Sequence, residues 1–309
     1  MEFSHVPVLF EETISSLRVK PDGVYVDCTA GGGGHAGAVA DRLSPAGRLI
    51  AIDRDPDAIT HLRQKFAGKE NVILIHDNYL NINNIINTLG FPGADGILAD
   101  LGVSSYQLDA AERGFSFHLD APLDMRMSKE GKSAYDVVNT YGEADLRRIL
   151  YAYGEEKFAP GIAKKIVAAR EKKPIESTLE LAEIVKSGMP AKARREGGHP
   201  ARRSFQAIRI EVNGELENLS QAVENMFGAL NVGGVLSIIT FHSLEDRAVK
   251  TKFREFTTGC ICPPEFPVCC CGRTPRGKLC GKPVTAGEAE LEANPRARSA
   301  RLRSIEKLK

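Results

Sequence analysis

The sequence predicts an α/β fold, a Rossmann-like sheet carrying an inserted all-helical domain. Three observations predict it. Four short apolar stretches, each ending in an acidic or polar residue, alternate with helix-like runs. Four consecutive glycines, Gly31 to Gly34, follow the first stretch. Roughly 100 residues of helical periodicity then intervene before the next strand-like run, far more than one crossover needs.

Taken in order, residues 3–17 read as an extended lead-in and a short helix from Glu11. Pro21-Asp-Gly23 is a turn. Strand one is Val24–Asp27, then the glycine loop and a helix over residues 36–43. Glycines let the chain turn tightly and let a ligand approach the main chain. Strand two is Arg48–Asp53. Asp53 lies at the spacing from the glycines at which an acid accepts from ribose hydroxyls. Asp55, just before Pro56, suits the cap of the next helix better. Strand three is Val72–His76, followed by Asp77-Asn-Tyr79, where Tyr79 offers a face for an adenine ring. Strand four covers residues 96–100 and ends at Asp100.

Helical periodicity follows at 143–153, 159–171 and 179–186, punctuated by Pro174, Pro190 and Gly197-Gly198. The expected division is 1–108 and 206–309 for the sheet domain and 109–205 for the helical insert. A long helix over 207–230, a fifth strand over 233–241, a helix over 244–256 and a final strand over 301–308 complete the chain.

With 309 residues, 42% hydrophobic, 26% charged and a net charge of +1, the composition is that of an ordinary globular protein. No apolar run approaches the roughly 18 residues of a membrane span. Met1 to His5 lack the basic and apolar regions of a secretory signal, so a cytoplasmic protein is expected. Basic residues cluster nonetheless. Arg194, Arg195, Arg202, Arg203 and Arg209 form one group, and Arg296, Arg298, Arg301 and Arg303 another. Arginine forks suit RNA phosphates. Phe115, Phe117 and Phe205 are possible stacking residues, although core packing suits any one of them better.

The pattern Gly32-x-Gly34-x-x-Gly37 also fits a dinucleotide fingerprint. Asp27, directly before the loop, would oppose a pyrophosphate. An acid-lined site better fits a cationic cofactor, the ammonium and sulfonium of S-adenosylmethionine, to which Coulomb attraction can contribute a few kcal/mol. His35 is placed to donate to that cofactor's carboxylate beside backbone N–H groups.

Several stretches together resemble a known family. They are Asp27-Cys-Thr-Ala-Gly-Gly-Gly-Gly-His35, Ala51-Ile-Asp-Arg-Asp55, Asp100-Leu-Gly-Val-Ser-Ser105 with Gln107-Leu-Asp109, and Gly114-Phe-Ser-Phe117. They continue with Pro122-Leu-Asp-Met-Arg-Met127, His199-Pro-Ala-Arg-Arg-Ser-Phe-Gln206, Phe241-His-Ser-Leu-Glu-Asp-Arg247 and Asn294-Pro-Arg-Ala-Arg-Ser299. The chain resembles, over nearly its whole length, the bacterial 16S rRNA (cytosine-N4)-methyltransferases, the RsmH or MraW family. The resemblance implies a class I S-adenosylmethionine-dependent methyltransferase sheet with a helical insert. It implies methylation of a cytidine N4 in the decoding centre of 16S rRNA, with the rRNA expected within the small ribosomal subunit and free rRNA as the open alternative. It also implies cofactor contacts at Gly33, Gly34, His35, Asp53, Tyr79, Asp100 and Gln107. Phenylalanine is frequent in the family where this chain has Tyr79, and tyrosine keeps the stacking face.

Many amino-group methyltransferases carry an Asp-Pro-Pro-Tyr-like tetrapeptide after strand four. This chain has Asp100-Leu-Gly-Val103 there, without prolines or an aromatic. Asp100 is the candidate catalytic acceptor for the N4 proton, with the Leu101 or Gly102 carbonyl as alternatives. A role for Asp100 in cofactor binding alone stays open. Arg202, Arg203 and Arg209 are the candidate substrate contacts. A nucleotide-binding assembly protein without chemistry is the competing class, and a NAD-dependent oxidoreductase a weaker one.

Cys260, Cys262, Cys269, Cys270, Cys271 and Cys280 crowd one stretch. Zinc sites usually use paired C-x₂₋₄-C units. C-x-C and C-C-C depart from that spacing, so a thiol-rich surface loop is expected, with no metal.

Overall fold

The computed structural model describes residues 7–195, 198–263 and 265–309. Residues 3–6 of the expected lead-in and Gly197 lie outside them. The chain divides into two compact units, one of residues 1–102 and 216–309 and one of residues 103–215. The observed divisions fall at 102/103 and 215/216, against the expected 108/109 and 205/206.

The first unit is a seven-stranded sheet: β1 (Val24–Asp27), β2 (Arg48–Asp53), β3 (Val72–His76), β4 (Ala94–Asp100), β5 (Leu230–Thr240), β6 (Gly277–Leu279) and β7 (Arg301–Lys307). Their order is β3-β2-β1-β4-β5-β7-β6. The first five run parallel, and β7 and β6 add antiparallel pairs at one edge. Helices cover both faces, which explains why the strands are apolar on both sides. Alternate residues divide between two cores. Val26, Ile50, Ile52, Ile97 and Ala99 pack with Val223, Phe227, Phe253 and Phe256 from helices Leu219–Gly228 and Ser243–Thr257. Tyr25, Leu49, Ala51 and Leu98 pack with Ile14, Val39, Ile59 and Leu62 from helices Phe10–Leu17, Gly34–Ala40 and Pro56–Lys65.

The direction of winding reverses between β1 and β4. Ligands in open α/β sheets sit outside the carboxyl ends of the strands at such a switch point. Register places Asp27 opposite Leu98 on β4, and Asp100 opposite Ile239 on β5, so the acids share one edge of the sheet.

The second unit is helical, with Ala134–Thr140, Glu143–Gly154, Ala159–Arg170, Thr178–Ser187 and Arg202–Asn213 around a core including Leu146, Ile149, Ile162, Ile166 and Phe205. The single helix expected over 207–230 is two. Asn213 is followed by Gly214 at φ 59, a left-handed cap that only glycine adopts cheaply, and a new helix begins at Leu219. No helix among the described residues is long and apolar enough to cross a membrane.

Candidate active site at the sheet switch point

The glycine loop is held from three sides. Gly31 and Gly33 have φ of 49° and 71°. A Cβ on Gly33 would lie 2.7 Å from Leu62 Cδ2, and one on Gly34 2.2 Å from Pro7 Cγ. The loop thus needs glycine for close packing as well as for turning. Its third constraint is electrostatic: Gly31 N–H donates to Asp53 Oδ2 at 2.7 Å.

Asp53 Oδ1 accepts from Asp55 N–H at 2.8 Å. Both oxygens are therefore fixed at the end of β2, and each keeps a further lone pair for a ligand hydroxyl. Asp55 caps the next helix by accepting from Asp57 N–H at 3.0 Å, as its place before Pro56 predicts. Tyr79 opens a 3₁₀ turn after β3 and is half-buried against the core.

Asp27 is buried, and Thr29 N–H donates to its Oδ1 at 3.1 Å. Burial, with the Asp53 charge, pushes its carboxyl up to about 7. Asp100 ends β4, and its backbone N–H donates to Thr29 Oγ1 at 2.6 Å. Its Oδ1 is buried without a hydrogen-bond partner among the described residues. Burial first, then the charges of Asp27 and Glu245, hold the Asp100 carboxyl well above the usual carboxylate range. The acids thus raise one another, which is the condition of a site short of positive charge.

His35 is placed differently from the expectation. Its ring is buried and stacks 5.9 Å from Phe10, with Nε2 3.2 Å from the Val8 carbonyl and Nδ1 3.9 Å from Asp100 Oδ2. The side chain thus binds the N-terminal segment to the site and faces Asp100. Two residues just after β5, His242 and Glu245, entered the sequence reading only within the stretch Phe241–Arg247 and were given no role there. Glu245 is buried, and its Oε2 accepts from Phe241 N–H at 2.9 Å. His242 Nδ1 accepts from Glu245 N–H at 3.4 Å, and its Nε2 lies 3.1 Å from Glu245 Oε1 but poorly aligned for a hydrogen bond. The signal was available: a polar run closes β5 as it closes the other parallel strands.

Gln107, the arginines at 202, 203 and 209, and the candidate phenylalanines lie in the helical unit. Gln107 Oε1 accepts from Ser104 N–H at 3.1 Å while Ser104 Oγ accepts from Gln107 N–H at 3.2 Å, a capping box. Arg209 departs from its expected phosphate role. Its Nε and Nη2 donate to Glu215 Oε1 and Oε2 at 2.9 and 2.8 Å, a bidentate pair that uses the fork internally. Arg202 and Arg203 are exposed at the start of their helix, and Arg203 donates to the Glu155 carbonyl at 3.3 Å. Phe115 and Phe205 are core residues, whereas Phe117 stacks 4.5 Å from the exposed His199. Arg301 and Arg303 both pair with Asp246.

The comparisons with known proteins agree with one another. A model of the MraW methylase family matches residues 2–308. A ribosomal RNA small subunit methyltransferase H of Clostridium botulinum is 55% identical over 310 residues, covering 100% of both chains. Proteins of the same name from Lachnospira eligens and Brevibacillus brevis are 51% and 50% identical over 311 residues, covering 100% of this chain and 99% of theirs.

Proposed function

The chain belongs to the MraW methylase family, and on that premise we propose that it methylates the exocyclic N4 of a cytidine in the decoding centre of 16S rRNA, in the cytoplasm, with S-adenosylmethionine as donor. The observation that carries the reading is Asp100. A buried carboxylate oxygen without a partner is an acceptor waiting for a donor, and the acids around it favour a cation. The residues fit S-adenosylmethionine on that ground. Asp53 would take the ribose hydroxyls, Tyr79 the adenine face, and the Gly33–Gly34 backbone the methionine end. When bound, that cofactor supplies an electrophilic methyl group.

The chain's own residues do the rest. The amino lone pair of cytosine is delocalised into the ring, so orientation of N4 matters most, and orientation can remove several kcal/mol of barrier. Asp100 Oδ1 would accept one N–H bond of the amino group and fix its direction. Positive charge beside Asp100 favours its ionised form, the form that accepts. Thr29 Oγ1 fixes the Asp100 backbone by accepting from its N–H, and the His35 ring faces the carboxyl at 3.9 Å. Arg202 and Arg203 would hold RNA phosphates.

The test is transfer of label from tritiated S-adenosylmethionine to small ribosomal subunits and to free 16S rRNA from cells lacking the modification. Incorporation into RNA in either substrate is the expected result. Cofactor binding without incorporation into either would favour an assembly protein without chemistry.

A further inference from the structure

The cysteine segment joins helix Ser243–Thr257 to β6 and plays no part in the site above. It has little core of its own: Ile261, Phe266 and Val268 are 56%, 53% and 75% exposed. Something other than apolar burial must order it. In the structure its sulfurs converge. The Sγ atoms of Cys260, Cys262, Cys269 and Cys271 all lie within 4.8 Å of one another. Cys260 lies 3.4 Å from Cys269 and 3.7 Å from Cys271, and Cys269 lies 3.6 Å from Cys271. A zinc ion with bonds of about 2.3 Å to four thiolates has sulfur–sulfur edges of about 3.8 Å. The three edges of the Cys260–Cys269–Cys271 face match one face of that tetrahedron, and Cys262 lies near enough to supply the fourth corner.

We propose that Cys260, Cys262, Cys269 and Cys271 form a structural zinc site that clips this segment into a closed loop. The ligands form two C-x-C pairs, Cys260-Ile-Cys262 and Cys269-Cys-Cys271, facing one another. This proposal departs from the expectation of a thiol-rich surface loop with no metal. The spacing within each pair is one residue shorter than usual, and that obscured the symmetry between them. Backbone donors support a thiolate set. Cys262 N–H reaches Cys260 Sγ, and Cys270 N–H reaches Cys262 Sγ, both at 3.4 Å. The N–H groups of Arg273 and Ile261 point at Cys271. Binding would replace the four thiol protons by one metal ion and release those protons to solvent. Four thiolates leave no open position, so the ion would be structural and without a bound water. Cys270 Sγ lies 3.6 Å from Cys262, outside the set of four, and Cys280 stands apart in sequence.

The experiment is metal analysis of the full chain purified without chelator from zinc-supplemented cells, paired with cobalt substitution. The expected result is about one zinc per chain and, with cobalt, intense tetrahedral bands with sulfur-to-metal charge transfer. Cys269→Ser and Cys271→Ser should each lose most of the metal, while Cys270→Ser and Cys280→Ser keep it. If the ligand variants misfold, chelation of the wild type replaces them: it should expose four further thiols to a thiol reagent and open residues 258–276 to protease. Sub-stoichiometric metal after supplementation, cysteines found as disulfides in place of metal, or full metal retention in a Cys269→Ser, Cys271→Ser double variant would overturn the proposal.

Discussion

Asp100 is the residue on which the chemistry turns. Asp100→Asn keeps the shape but weakens the acceptor. Methyl transfer should fall about 100-fold or more, with cofactor affinity changed far less, as single-turnover rates and calorimetry can show. Near-normal turnover with lost affinity would make Asp100 a cofactor ligand only. Asp27 gives a pH signature. Its carboxyl stands near 7 in the folded chain against an ordinary 3.8, because burial disfavours the charge. The folded state therefore holds a proton that the unfolded chain releases between those values. Its contribution to the stability of the ligand-free protein is greatest below pH 3.8 and declines as pH rises through about 7. A cationic ligand reverses the preference. Binding of S-adenosylmethionine should release protons below pH 7 and tighten as pH rises towards it, read by calorimetry in buffers of different ionisation enthalpy. Asp27→Asn should flatten that dependence. The acids were legible in the sequence because each ends a strand. The partner of Arg209 was not, since Glu215 is reached only after the chain reverses at Gly214.

At the scale of elements, the glycine loop works through packing. Gly33→Ala forces a Cβ against Leu62 at φ 71, which should cost roughly 2–4 kcal/mol. A fall in Tm of several degrees, without any ligand present, checks this. β1, β2 and β3 run over the residues the sequence predicts: β1 and β2, largely buried, read as short apolar runs closed by an acid, and the half-buried edge strand β3 as an apolar run closed by His76. β4 and β5 begin two and three residues earlier than predicted, at Ala94 and Leu230. The helix expected over 207–230 failed for the opposite reason. Apolar periodicity continues past Gly214, and periodicity alone does not register a left-handed cap. Asn213-Gly214 was the available signal. Gln107 shows a similar limit: Ser104-x-x-Gln107 spells a capping box as plainly as it spells a ligand.

The whole molecule joins a cofactor-type sheet to a helical unit bearing exposed arginines. If Arg202 and Arg203 contact phosphates, RNA affinity falls steeply with salt. The Arg202→Ala, Arg203→Ala double variant should then lower the slope of log affinity against log salt by about 1–2. Arg209→Ala should behave differently. It leaves Glu215 without this partner in a mostly buried place, so stability should fall by roughly 3–5 kcal/mol, read as a lower Tm, while the salt slope stays. The family assignment rests on a match along the full chain, and the site reading on the acids at the switch point. The measurement that joins them is nucleoside analysis of small-subunit rRNA after reaction with labelled S-adenosylmethionine. Label in N4-methylated cytidine, lost with Asp100→Asn, is the predicted result. Label confined to a ring carbon, a ribose oxygen or another base would contradict the account.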